Sequence, residues 1–236
     1  MLEIAVSPVA KESFLTVSNP RIQLIHAVTG AISPIHEAFA RLWPEAQAVD
    51  LTEASLATDL SEAGELDDGF TKRMAALIGY GIVAGADAIL FTCSAFGAAI
   101  EEARQGVAIP VLKPDEAMIA RALSLGPRIG GLATFAPTIP SLASELETAA
   151  EVVSLNPEIE LRHVSGALDS LNAGDRAAHD QLIIEAAAGM TDVDALLLAQ
   201  FTMSGVRDAI ADVPGRTVLS SPIEAVLKLR DLLGAD

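Results

Sequence analysis

"ADAILFTCSAFG", residues 86–97, and "VDALLLAQFTMS", residues 193–204, decide the fold. Each carries an acid, Asp87 or Asp194, then four apolar residues, then a turn of small and hydroxyl-bearing residues. The two stretches lie 107 positions apart, and two more pairs keep that spacing. "RIQLIHAVTGAIS" from Arg21 matches "RIGGLATFAPTIP" from Arg128, and "VLKPDEAM" from Val111 matches "VLSSPIEAV" from Val218, with a one-residue slip just after. Three matched segments in one order at one spacing mark a duplicated unit.

The apolar runs at 22–28, 88–91, 128–134 and 195–199 are short and bounded by polar, Gly or Pro positions, as buried parallel strands are. Between them, Phe70, Met74, Leu77 and Ile78 share one face of a helix running to about Gly85. Residues 180–188 are its counterpart in the second unit. Another helix is expected over 141–153, with Pro140 just before it and Asn156-Pro157 ending it. The expected fold is α/β: two pseudo-twofold-related lobes, each a small, mainly parallel sheet flanked by helices, with the active site in the cleft between them. Residues 1–113 plus 219–236 are assigned to the first lobe and 114–218 to the second. Ligands of open α/β sheets bind outside the carboxyl ends of the strands. Residues 25–30, 92–95, 133–138 and 200–204 should therefore converge, and the 107-residue spacing sets Cys93 opposite Gln200.

Composition narrows the partners. Hydrophobic residues are 51% of the 236 but aromatics only 4%, so the interior is built from Ala, Leu, Ile and Val. A net charge of -17 opposes binding to nucleic acid or an anionic membrane. No segment approaches the roughly 20 unbroken apolar residues of a membrane span. The opening "MLEIAVSPVAKESFLTVSNP" lacks a basic region before a long apolar one, so no secretory signal is read. One cysteine fits a reducing cytoplasm. Neither metal-ligand spacing nor a dinucleotide fingerprint or P-loop is present, so a reaction without metal or cofactor is expected.

Cys93 is the candidate catalytic group. Ser94 and the small residues after it begin a helix, whose free N–H groups and dipole would favour thiolate. A depressed thiol pKa is the mark of a catalytic cysteine; one near or above the free value of about 8.5 is the mark of buried filler. The same donors suit a carboxylate or an enolate oxygen. Thr92, Ser94 and Ala95 line this turn, and Phe201 and Thr202 the mirrored one. Gln200 either contacts substrate or makes a structural hydrogen bond. His26 ends the first strand, from which its ring could reach the cleft, and Thr29 follows in the loop. Thr134 and Thr138 are carboxylate donors, unless Thr138 merely caps a helix. His36 and His179 read as surface or packing residues on helices, and His163 is left unassigned. The expected partner is a small carboxylate, and a non-catalytic carboxylate-binding protein is the alternative class. A homodimer is a common arrangement for α/β enzymes of this size.

Taken in order, "LIHAVTGAISPIHEAF", "ILFTCSAFG", "PVLKPDEAM" and "LLLAQFTMSG" resemble the aspartate/glutamate/hydantoin racemase superfamily. They match its first strand and loop, its first cysteine turn, the following strand and helix, and the place of its second cysteine turn. The resemblance implies two lobes around one active site, no metal or organic cofactor, and Cys93 as one of two thiol acid/bases flanking the substrate's α-carbon. Gln200 stands where the second thiol would be, and an amide does not exchange protons usefully near neutral pH. Three chemistries stay open. One is racemase-type or isomerase-type proton transfer, with His26 or a water in place of the missing thiol. Another is decarboxylation like that of arylmalonate decarboxylases, whose single thiol occupies the second position. The last is a maleate-isomerase-like addition of the thiolate to a double bond.

Overall fold

A computed structural model describes residues 19–210 and 212–235; the segment read above for a secretory signal lies, up to position 18, outside them. The first unit runs β1 (Arg21–His26), a 3-10 turn (Thr29–Ala31), α1 (Ile32–Leu42), β2 (Gln47–Thr52), α2 (Ser55–Ala63), α3 (Asp68–Val83) and β3 (Ala88–Phe91). A second 3-10 turn (Ser94–Phe96) then enters α4 (Gly97–Ala103), followed by β4 (Val111–Leu112) and α5 (Glu116–Leu125). The second unit begins with β5 (Arg128–Ala133), α6 (Thr138–Val152), β6 (Glu158–His163), α7 (Ala167–Asn172) and α8 (Arg176–Ala188). It continues through β7 (Ala195–Leu198), a 3-10 stretch (Phe201–Ala209), β8 (Thr217–Ser220) and α9 (Ser221–Leu232). The strands form two parallel four-stranded sheets, ordered β2-β1-β3-β4 and β6-β5-β7-β8.

The duplication is visible in single hydrogen bonds. Asp87 accepts the Arg21 N–H at 2.8 Å, and Asp194 accepts the Arg128 N–H at 2.9 Å, tying β3 to β1 and β7 to β5 at the same register. Val111 and Val218, 107 positions apart, each accept at the carbonyl from an arginine, Arg104 at 2.8 Å and Arg207 at 3.0 Å, although those arginines lie 103 positions apart. β3 and β7 are buried along their whole length, which is why both read as continuous apolar runs.

The boundaries differ from expectation in a few places. β1 stops at His26 and β5 at Ala133, before the ends of their apolar runs, because the chain turns there toward the cleft. α6 begins at Thr138, so Pro140 sits inside its first turn, where the missing N–H would have had no intrahelical partner. β2 and β6 were not anticipated: "QAVDLT" and "EIELRH" lie at sheet edges, are nowhere fully buried, and need no apolar run. His163, unassigned above, is the last residue of β6 and pairs with Ala133.

Helices α5 and α9 each cross to the other unit's sheet. α9 buries Ile223, Val226 and Leu229 in a core with Ile22 and Leu24 of β1 and with Ile35, Phe39 and Trp43. α5 buries Met118, Ile119 and Leu123 against Ile129 of β5 and Leu197 of β7. Each such side chain contributes roughly 1.5–3 kcal/mol on burial. The exchange sets the lobes against one another with the carboxyl ends of both sheets facing a shared space.

Candidate active site

That space is a cavity of about 390 Å³. All four turns expected to converge contribute to its wall, through Val28 and Gly30, Thr92 to Ala95, Thr134 to Thr138, and Ala199 to Thr202. Pro114, Asp115, Ser141 and Leu168 also line it and were not anticipated. Among the described residues, no Lys or Arg lines it. Val28 and Phe135, 107 positions apart, are 49% and 51% exposed while lining the cavity, which sets an apolar pair at its rim.

Cys93 follows β3 in extended backbone and leads into the Ser94–Phe96 turn. It is half-buried and lines the cavity together with Ser94 and Ala95. The expected thiolate is not what the surroundings favour. Burial pushes the thiol above its ordinary value; a hydrogen bond from the Ala95 N–H works against the rise, and the charge of Asp115 adds to it. The turn supplies one donor rather than a long helix dipole, since α4 after it spans only seven residues. Desolvation therefore wins, and Cys93 is a thiol at neutral pH.

Across the cavity, Gln200 is largely engaged with its own lobe. Its Oε1 accepts the Thr134 N–H at 2.8 Å and lies 3.3 Å from the Thr134 hydroxyl, and its Nε2 donates to Thr138 Oγ1 at 2.8 Å. One N–H of the amide is left for a ligand. Thr138 opens α6 and accepts this bond, rather than capping the helix with its side chain. Thr134, Thr138, Phe201 and Thr202 all line the cavity.

His26 and Thr29 are not among the lining residues, contrary to expectation. Thr29 is exposed. The His26 ring is fully buried one layer behind the wall, because its neighbours in the sheet supply partners for both nitrogens. Nδ1 lies 2.8 Å from Thr92 Oγ1, and Nε2 lies 3.0 Å from Asp50 of β2. Burial lowers the ring's pKa more than the bond and charge of Asp50 raise it, and His36 lowers it further. A neutral ring that donates Nε2–H to Asp50 accepts at Nδ1 from the Thr92 hydroxyl. His36, half-exposed on α1, meets the same carboxylate at 2.9 Å. A hydrogen-bonded line, His36, Asp50, His26, Thr92, thus runs from the surface to the cavity wall. His179, on α8, is buried with Nδ1 2.6 Å from Asp180.

Asp115 is the ionisable group that sequence reasoning missed. It is 4% exposed, it lines the cavity, and it accepts a hydrogen bond from Ser221, the first residue of α9 in the other repeat unit. Burial pushes its carboxyl up to about 7; the Ser221 bond opposes the rise, Glu145 adds to it, and Lys113 opposes it. In sequence, "KPDEAM" reads as a helix start, and nothing local shows that the second repeat closes over the acid. Among the described residues no group of three or more His, Cys, Asp or Glu side chains is placed to hold a metal.

Residues 27–229 match the Asp/Glu/Hydantoin racemase family profile. Among solved structures, glutamate racemase from Bacillus anthracis superposes with a TM-score of 0.67 at 16% identity, covering 93% of this chain and 82% of that one. Allantoin racemase from Pseudomonas fluorescens gives 0.64 at 19% identity, covering 91% of each chain. An arylmalonate decarboxylase variant in a sulfate-associated form gives 0.60 at 19% identity, covering 92% of this chain and 94% of that one. At such identities the likeness speaks for the fold. No curated protein matches the chain by sequence.

Proposed function

We propose that this chain, which belongs to the Asp/Glu/hydantoin racemase family, is a cofactor-independent enzyme that delivers a proton to the α-carbon of a small carboxylic acid, with Cys93 as the donor. The observation that supports this reading is a single thiol, kept protonated by burial, on the wall of a cavity whose mirrored position holds an amide already committed to its own lobe. When a bond at the α-carbon breaks, its electron pair moves into the adjacent carboxyl to give an enediolate. The Cys93 S–H proton then passes to carbon and leaves a thiolate, which solvent reprotonates. N–H and hydroxyl groups of the turns are suited to hold the enediolate oxygens.

The bond broken is either C–H, giving racemisation or isomerisation, or C–C with loss of CO₂. Racemisation needs a second proton carrier on the opposite face, and Gln200 is no such group. Decarboxylation needs none, so one thiol suffices. Addition of Cys93 as a nucleophile is disfavoured, because a thiol raised above its ordinary pKa is seldom ionised at neutral pH. The lone cysteine also fits a reducing cytoplasm as the enzyme's place.

The test is incubation in D₂O with a panel of 2-substituted acetic and malonic acids. Wild type is expected to place one deuterium at the α-carbon, giving a single enantiomer from malonates, and Cys93→Ser to lose about 10²-fold or more in rate. Deuteration by Cys93→Ser at the wild-type rate would remove Cys93 from the mechanism. A second reading, a non-catalytic carboxylate-binding protein, is favoured by the same raised thiol, which is also what buried filler shows. It predicts ligand binding unchanged in Cys93→Ala and no deuteration with any acid.

A further inference from the structure

Among the described residues, no lysine or arginine on the wall meets a carboxylate in this cavity. Its ionisable lining groups are Cys93 and Asp115, and an ionised Asp115 would repel it. Asp115 is nonetheless built into the wall, with only one oxygen engaged: Oδ1 accepts from Ser221, while no hydrogen bond to Oδ2 occurs among the described residues. Ser221 Oγ also lies 3.7 Å from Met118 Sδ, a packing contact while its one proton goes to Asp115. The half-exposed Val28 and Phe135 line the same cavity where it meets solvent. A buried acid and an exposed apolar pair, with no cation among the described lining residues, fit a ligand that carries a carboxylate and a hydrocarbon group.

We infer that the cavity takes a carboxylic acid with an apolar substituent and holds one carboxylate of it through a hydrogen bond donated by Asp115 in the acid form, Oδ2–H to the ligand oxygen, while Ser221 fixes Oδ1. The inference rests on the carboxylate substrate proposed above and adds the residue that holds its charge. A carboxylic acid kept neutral by an apolar site so that it can donate to an oxyanion is an established physical device. The groups facing Asp115 are Cys93 from the end of β3, Glu145 from α6, Lys113 beside it in the chain, and Ser221 and Met118. Burial and the nearby Glu145 both favour the acid form. A bound anion favours it further, so binding at alkaline pH must take up a proton.

Isothermal titration with isobutyrate, in two buffers of different ionisation enthalpy, counts that proton without turnover. Wild type is expected to take up about one proton per ligand at pH 8 and close to none at pH 5.5, with affinity falling about tenfold from pH 7.5 to 8.5. Asp115→Asn, which donates through its amide, should bind with no proton uptake and with affinity independent of pH. Glu145→Gln should keep the wild-type uptake. The inference is overturned if wild type binds without uptake, if Asp115→Asn still takes up a proton, or if isobutyrate fails to bind at either pH. Cys93 is unchanged in every arm and only binding is read, so failure of the deuteration experiment and failure of this one are separate results.

Discussion

Asp115 puts the folded state at odds with alkaline solvent. In the unfolded chain its carboxyl ionises above the ordinary value of 3.8, whereas the fold keeps it protonated to about 7. The fold is therefore fully tolerant of the side chain below pH 3.8, loses stability as the pH rises from there, and loses no more above about 7. The span of about three pKa units corresponds to about 4 kcal/mol. Asp115→Asn should accordingly be more stable than wild type by a few kcal/mol at pH 8, with the gap closing by pH 4. Urea midpoints across that range measure it, and a gap that does not vary with pH would show that the amide simply packs better. At this scale the sequence was partly legible. That Cys93 and Gln200 line one cavity was legible because a constant spacing shows through any local disguise. Asp115 and Asp50 stayed hidden because their partners, Ser221 and His26, lie 106 and 24 residues away across contacts that no local pattern encodes.

Among the elements, β5 shows how closely the layers approach. A methyl on Gly131 would come within 2.6 Å of Leu161 Cδ2, the free end of a side chain on edge strand β6 that can rotate aside. A methyl on Gly126, just before β5, would come within 2.8 Å of Asp194 Cβ, and the Asp194 carboxylate is tied both to the Arg128 N–H and to its guanidinium. Gly126→Ala should thus be the more destabilising change, by about 2–3 kcal/mol against about 1 for Gly131→Ala. Chemical denaturation of the two variants decides the order, and the reverse order would mean that the Asp194 tie yields easily. Inner strands and long helices were readable from apolar runs and spacing, because burial on both faces or along one stripe leaves that imprint. Edge strands β2 and β6 were not, because half-exposed positions accept Gln, Glu and Arg without penalty.

For the molecule as a whole, the exchanged helices make the lobes interdependent. Trp43, the single tryptophan, is packed in the core that α9 completes, so its fluorescence reports on the first sheet while helical circular dichroism reports on both units. The two signals should trace one coincident unfolding transition. Removing residues 221–236 should abolish the first lobe's tertiary structure, although the deleted segment follows the second sheet in sequence. Separate transitions, or a truncated chain with native Trp43 emission, would contradict this coupling. A half-length relative with the same packing would have to lend its last helix to a twin, and twin halves place identical groups on both flanks of a ligand. Joining the halves in tandem lifts that constraint: position 93 can carry a thiol while position 200 carries an amide, and the joined chain gains a handedness that no pair of identical halves possesses.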